Sequence, residues 1–350
     1  MKKVLVVDDS ALVRKQLRGL IEELGFEVDI AKNGQEAVDK ATSEDFAVIT
    51  MDVNMPVMDG IAAVKEIMNK KPTPILMVSS LTSEDATTTI EALQNGAVDY
   101  VAKPGTFNVG LATTGDHLAE KIVSLSKMNP RRLSRSMATQ KARIERKEHA
   151  PVEAAKAVIP VDKVLLIGAS TGGPGLIEDI CSSLPENFPY AVFVVQHMPE
   201  KFTATFATRL ARVSKVPVTE AIHNEEVSAG RVYVAKGGVH MHFAKKVSGK
   251  LILRLEETKA DRFFQPSVDE MMLSALTVFD PRKTVAVLLT GIGDDGAEGM
   301  VAIKNAGGYT IGESEETATV YGMPRVAFEK GGVSEQLDFP KIVSKLMSLK

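Results

Sequence analysis

The stretch VLLIGASTGGPG, residues 164–175, decides the fold of the second half of the chain. It begins as a continuous apolar run, which is typical of a strand buried on both faces of a parallel sheet. It ends in small residues and runs into a helical pattern over residues 176–180. A serine at such a strand-to-helix turn stands clear of the sheet, and the unpaired N–H groups of the new helix point towards it. Ser170 is therefore a candidate nucleophile beside an oxyanion site.

Two glycine-rich motifs could instead indicate nucleotide binding. Glycine-rich turns after strands also bind phosphate groups, but in the first motif Pro174 stands where a P-loop has its lysine. The second motif, GIGDDG over residues 291–296, matches the dinucleotide fingerprint. Asp294 and Asp295 lie inside it and would repel a pyrophosphate, which argues against a nucleotide there.

The composition restricts the class of protein. The 350 residues are enough for two domains, and the formal net charge of −3 predicts no attraction to nucleic acid or anionic membrane. No apolar stretch approaches the length of a membrane span, and no signal peptide opens the chain. Cys181 is the only cysteine, so we expect no disulfide framework and no cysteine zinc site. These features predict a cytoplasmic protein with no nucleic-acid partner and no membrane insertion.

Three buried strands of the second half end in residues with complementary chemistry. They end in Ser170, in His197 and in the pair Asp294-Asp295. The carboxyl ends of parallel strands meet at one edge of the sheet, so these side chains should lie close together. A nucleophilic serine needs a base, and an imidazole needs a carboxylate to hold its tautomer. In the sequence between His197 and Asp294, short strands are expected at residues 216–221, 231–235, 239–244 and 251–255. The middle ones are expected in hairpins.

The first 125 residues repeat a strand and a helix five times, which predicts a parallel sheet covered on both faces. The expected strand ends carry Asp8-Asp9, Asp52, Ser79-Ser80 and Lys103. Three carboxylates at one edge repel each other unless a cation joins them. Oxygen ligands in an incomplete cage suit Mg²⁺.

This first part resembles the receiver domain of two-component response regulators. The resemblance is carried by DDS at 8–10, MDVNMPVMDG at 51–60, VSS at 78–80 and VAKP at 101–104. It implies that Asp52 accepts a phosphoryl group from a histidine kinase. It also implies further site residues: Asp8, Asp9, Asp52 and the backbone carbonyl of Asn54 for Mg²⁺, Ser79 and Lys103 for the phosphoryl oxygens, and Tyr100 as the aromatic switch.

The second part resembles the bacterial chemotaxis receptor methylesterases. The chain order Ser, His, Asp is not that of the α/β-hydrolase fold. The matching segments are GASTGG at 168–173, QHMP at 196–199, PSVD at 266–269, LTGIGDDGA at 289–297 and YGMPR at 321–325. The resemblance implies hydrolysis of glutamyl methyl esters on methyl-accepting chemotaxis receptors, with methanol released, and deamidation of receptor glutamines. It also implies Asp295 as the catalytic acid, backbone N–H groups of Thr171 and Ile292 as oxyanion donors, and no cofactor in this domain.

The expected organisation is an α/β chain of two domains. A (βα)5 receiver covers residues 1–125, a basic linker residues 126–160, and a doubly wound, mostly parallel catalytic domain with a hairpin region residues 161–350. The linker is either a mobile connector or a docking segment for an acidic surface. Two rival functions remain open: a non-catalytic adaptor joined to a receiver, and an esterase for small molecules.

Overall fold

The computed structural model describes residues 2–80, 82–103, 111–128, 148–153, 158–257 and 264–349. The chain divides into two compact units, residues 1–145 and 146–350. Most of the linker predicted over residues 126–160 lies outside the described residues, so its bounds stay a prediction. Among the described residues, no helix combines the length and the apolar character needed to cross a membrane.

The first unit is a parallel sheet of five strands in the order β2-β1-β3-β4-β5. The predicted receiver fold is confirmed. Strands β1, β3 and β4 are buried over almost their whole length, which explains their continuous apolar sequences. The elements follow one another as β1 Lys3–Val7, α1 Ala11–Glu23, β2 Glu27–Ala31, α2 Gly34–Ser43, β3 Val48–Asp52, α3 Gly60–Lys70, β4 Ile75–Ser79, α4 Ser83–Gln94, β5 Asp99–Ala102 and α5 Leu111–Leu125.

The second unit is built on a parallel sheet of seven strands in the order β14-β13-β12-β6-β7-β9-β8. The predicted mostly parallel α/β class is confirmed here as well. The elements are β6 Lys163–Ala169, α6 Gly173–Ser183, β7 Tyr190–Gln196, α7 Glu200–Val213, β8 Val218–Glu220, β9 Val232–Val234, β10 His240–Lys245, β11 Leu251–Glu256, α8 Val268–Ala275, β12 Thr284–Leu288, α9 Ala297–Asn305, β13 Tyr309–Glu313, α10 Met323–Glu329, β14 Glu335–Leu337 and α11 Phe339–Met347.

The hairpin region is smaller than the short strands suggested. Among the strands of the described residues, only β10 and β11 pair as an antiparallel hairpin. Strand β9, expected in a hairpin, runs parallel to β7 and β8. All three of its residues are buried, as befits a strand covered on both faces rather than a half-exposed hairpin strand.

Strands β12, β6 and β7 are neighbours at the centre of the second sheet, and their carboxyl ends meet at one edge. The backbone pairing continues beyond the strands. The Ser170 N–H donates to the Thr290 carbonyl at 3.0 Å, and the His197 N–H donates to the Ala169 carbonyl at 3.1 Å. These bonds hold together the three loops that carry the predicted serine, histidine and acid.

Candidate active site and phosphoacceptor site

Ser170 lies in a tight turn between β6 and α6, with 8% of its surface exposed. The turn ends at Gly172, whose φ of +81° belongs to the left-handed region that favours glycine. A Cβ on Gly172 would also collide with the side chain of Thr319. On the other side, a Cβ on Gly291 would lie 2.9 Å from the Ser170 Cβ. Gly291 thus allows its loop to approach Ser170, and Gly172 allows the Ser170 turn to approach Thr319.

The structure brings His197 to Asp295. The imidazole Nε2 lies 2.7 Å from Asp295 Oδ2, and both side chains are more than 90% buried. Asp294, the neighbouring candidate that strand order alone left open, is exposed. The turn therefore directs one of its two acids inward and the other to solvent.

Asp295 lies at the N-terminus of α8 and accepts hydrogen bonds from it. Its Oδ1 accepts from the Ser267 hydroxyl at 2.7 Å and from the Asp269 N–H at 3.0 Å, and its Oδ2 accepts from the Val268 N–H at 2.7 Å. Burial by itself raises the pKa of this carboxyl. The hydrogen bond and charge of His197, together with the two N–H groups, outweigh burial and lower the pKa to about 2. The carboxylate is therefore ionised at neutral pH.

With Nε2 engaged by Asp295, the other imidazole nitrogen is available for chemistry. The His197 Nδ1 is buried and has no hydrogen-bond partner among the described residues. The ring of Phe264 stacks on the imidazole, with centroids 4.1 Å apart and planes 11° from parallel. The imidazole is thus held at one edge by the Asp295 carboxylate and on one face by the Phe264 ring.

Sequence reasoning missed several of these supporting residues. Ser267 had a usable signal, because Ser267-x-x-Glu270 before an apolar run is a capping-box pattern, and Ser267 does accept from the Glu270 N–H at 3.3 Å. Phe264 had no signal, since its contact with His197 joins residues far apart in the chain. Thr171 and Ile292, the predicted oxyanion donors, lie next to Ser170 and Gly291, and their role stays a prediction.

The predicted phosphoacceptor site of the first unit is also assembled. One carboxylate oxygen from each of Asp8, Asp9 and Asp52 lies within 4.8 Å of the others. Lys103 Nζ lies 2.8 Å from Asp52 Oδ2 and 3.1 Å from Asp8 Oδ2. Burial, and also the charge of Asp8, raise the pKa of Asp52 to about 6 although Lys103 acts in the opposite direction. Oxygen donors with one exposed member, Asp9, fit a hard divalent cation that keeps part of its water.

Three further predicted receiver residues lie around this cluster. The Ser79 hydroxyl is buried and has no hydrogen-bond partner among the described residues, and the Ser79 carbonyl accepts from the Lys103 N–H at 2.8 Å. Tyr100 is 5% exposed on the neighbouring strand β5. The Asn54 side-chain amide donates to the Asp85 carboxylate at 3.1 Å, a link from the loop after β3 to helix α4 that the sequence did not indicate.

Comparison with known proteins agrees with this geometry. The family described as CheB methylesterase matches residues 165–346, and the response regulator receiver domain matches residues 4–113. A protein-glutamate methylesterase/protein-glutamine glutaminase of Carboxydothermus hydrogenoformans is 47% identical, covering 99% of this chain and 98% of its own. The corresponding protein of Halobacterium salinarum is 40% identical over the same shares.

Among solved structures, the CheB methylesterase catalytic domain of Thermotoga maritima is 39% identical, with a TM-score of 0.52, and covers 55% of this chain and 100% of its own. The matches extend over both units and include the segments that carry Ser170, His197 and Asp295. The chain therefore belongs to the CheB methylesterase family, as a member with an N-terminal response regulator receiver domain.

Proposed function

We propose that this protein is a phosphorylation-regulated serine hydrolase that removes methyl groups from glutamyl methyl esters of chemoreceptors and deamidates receptor glutamines. The observation that carries the proposal is the pair formed by His197 and the ionised Asp295 next to the Ser170 turn. The relatives' printed names, protein-glutamate methylesterase/protein-glutamine glutaminase, support the substrate class.

In the proposed reaction, His197 takes the proton of the Ser170 hydroxyl through Nδ1, since Nε2 is bound to Asp295. Ser170 Oγ attacks the γ-carbonyl of the glutamyl ester, and the N–H groups of Thr171 and Ile292 stabilise the oxyanion. His197 returns the proton to the leaving methanol, and an acyl-enzyme remains. Water, deprotonated by His197, then releases the glutamate. With glutamine as substrate, ammonia leaves in place of methanol.

Asp295 stabilises this cycle without changing its own protonation. A carboxylate with a pKa of about 2 stays ionised while the imidazole gains and loses a proton. Its charge stabilises the imidazolium, and its position fixes the tautomer.

Regulation is proposed to act through Asp52 in the receiver, with a chemotaxis histidine kinase as phosphodonor. Asp8, Asp9, Asp52 and the Asn54 carbonyl would hold Mg²⁺, which when bound neutralises charge between the attacking carboxylate and the phosphate. Lys103 is already within reach of Asp52 and can pair with a phosphoryl oxygen. The buried Ser79 hydroxyl can donate to another, and Tyr100 would follow its movement. The proposed location of this activity is the cytoplasm.

The decisive experiment measures methanol release from methylated receptor by the intact protein and by Ser170→Ala. We expect the variant to lose on the order of 10⁴-fold or more in kcat while its melting temperature stays near that of the wild type. Ser183→Ala, an exposed serine at the end of α6, is the matched control and should keep full activity. If the wild-type protein releases no methanol, the result supports the non-catalytic adaptor instead. Turnover of soluble esters without turnover of receptor supports the small-molecule esterase.

A further inference from the structure

We propose that Gln196 is a positioning residue that orients the oxyanion donor of Thr171. Gln196 is the last residue of β7 and precedes His197. Its Nε2 donates to the Ser170 carbonyl at 2.9 Å, and only 2% of the residue is exposed. The inference rests on the proposed function, because it assigns a role within the same serine hydrolase site.

The carbonyl that Gln196 binds belongs to the peptide unit that carries the Thr171 N–H. A trans peptide is planar, and its C=O and N–H point in opposite directions. Fixing the direction of the Ser170 carbonyl therefore fixes the opposite direction for the Thr171 N–H. The Gly173 N–H donates to the same carbonyl at 2.9 Å, so two donors hold it on one side. Accepting these bonds also polarises the peptide and strengthens the N–H as a donor.

The second proposed donor is oriented in the same way, but by the backbone. The Ile292 N–H belongs to the peptide unit whose carbonyl is that of Gly291, and this carbonyl accepts from the Met323 N–H at 2.9 Å. Both donor peptides are thus fixed through their carbonyls. The Gly173 and Met323 donors are backbone N–H groups, whereas the Gln196 donor is a side-chain amide. Gln196 can therefore be substituted without altering the backbone.

The chemistry of the Gln196 amide argues against a role in stability alone. Its Oε1 is buried and has no hydrogen-bond partner among the described residues. A buried acceptor without a partner costs stability, and an apolar side chain of similar size would avoid that cost. A Cβ on Gly173 would collide with this oxygen, so the glycine makes room for the amide. A residue that costs stability in this position is explained by the orientation that it imposes on the Ser170 peptide.

The test compares Gln196→Met and Gln196→Leu with the wild type in the intact protein. Both variants remove the donor, and they differ in shape, so a packing defect of one is recognised by comparison with the other. We expect kcat on methylated receptor to fall about 10- to 100-fold, since a small misplacement of a donor has an effect of this size. KM should change less than about threefold. The melting temperature should equal or exceed that of the wild type.

Phenylboronic acid, which forms a tetrahedral anionic adduct on a reactive serine, provides the second readout. Its inhibition constant should rise by about the same factor as kcat/KM falls, because the adduct uses the same oxyanion donors. Thr310→Val, which removes a buried hydroxyl from β13 in the same sheet, is the control and should leave both quantities unchanged.

Three outcomes would overturn the role of Gln196: kcat retained within about threefold in either variant, an unchanged boronate constant, or a loss of activity matched by Thr310→Val. Failure of the proposed function is distinguishable, because the wild type itself would then release no methanol.

Discussion

At the scale of single residues, the site depends on environments that differ sharply between neighbours in sequence. Asp294 and Asp295 are adjacent, yet one is exposed and the other is 9% exposed and binds His197. The hydrogen bonds that α8 gives to Asp295 compensate for its burial. The exposure of each carboxylate, rather than its residue type, separates the candidate acid from its neighbour.

Asp295→Asn should therefore lose roughly 10⁴-fold in kcat, whereas Asp294→Asn should stay close to the wild type. Steady-state methanol release from methylated receptor decides between them. The reverse ranking would assign the acid to Asp294.

The lowered pKa of Asp295 also predicts how the stability of the protein depends on pH. The pKa of Asp295 is lowered from 3.8 in the unfolded chain to about 2 in the folded protein. Its contribution, about 2 kcal/mol, should be fully present above pH 4 and lost as the pH falls through 2. The free energy of unfolding of Asp295→Asn, whose amide mimics the protonated acid, should differ from that of the wild type by about this amount at pH 7 and converge with it near pH 2. Asp294→Asn, which changes the exposed neighbouring carboxylate, is the matched control variant.

Val57 is a second residue whose conformation carries a prediction. Its φ is +71°, in the left-handed region that β-branched residues avoid, and 84% of the residue is exposed. Val57→Asn should stabilise the first unit by about 1 kcal/mol, because asparagine tolerates this conformation and little packing is lost. Calorimetry of the intact protein should show a higher melting temperature. The control is Val247→Asn, which changes another exposed valine that has no positive φ and should leave the melting temperature unchanged. Equal shifts of the melting temperature in both variants would contradict the argument.

At the scale of elements, helix α8 contributes both to folding and to the candidate active site. Ser267 caps the helix by accepting from the Glu270 N–H, and its hydroxyl also donates to Asp295. Some other helix caps among the described residues have only the first task. The N-cap of α2, for example, is Asn33, which accepts from the Glu36 N–H at 2.9 Å.

Ser267→Ala should cost about 1 kcal/mol of stability and also lower kcat about tenfold, since the orienting carboxylate loses one of its donors. Asn33→Ala should cost a similar amount of stability and leave ester hydrolysis unchanged. Unfolding by urea and methanol release, measured on the same preparations, separate the two effects. A normal kcat in Ser267→Ala would restrict that residue to capping.

At the scale of the whole molecule, the chain combines a phosphoacceptor unit with a hydrolase unit. The proposed phosphorylation of Asp52 would add about two negative charges beside Lys103 and near the buried Ser79 hydroxyl. A change of this size in a buried cluster can shift the population of receiver conformations.

Wild-type activity should therefore rise when phosphoramidate and Mg²⁺ are added, and Asp52→Ala should remain at the basal rate. Asp45→Ala, which changes an exposed aspartate of the same unit, should respond like the wild type. Methanol release with and without phosphodonor is the measurement. An increase in Asp52→Ala would place the phosphorylation elsewhere.

The sequence by itself determined both parallel sheets and the residues at their carboxyl ends. Continuous apolar runs and helical periods are local properties, so they identified β6, β7 and β12 and the positions of Ser170 and His197. The family segments likewise pointed to the receiver residues, which lie together in the structure.

Strand order left Asp294 and Asp295 both open, the family resemblance pointed to Asp295, and the tertiary structure shows that Asp295 meets His197. Only the tertiary structure showed that β9 pairs in parallel and that Phe264, Ser267 and Gln196 contact the site residues. Each of these contacts joins segments that are distant in the chain. Their geometry follows from how strands and helices pack, and residue type and local period carry no information about it.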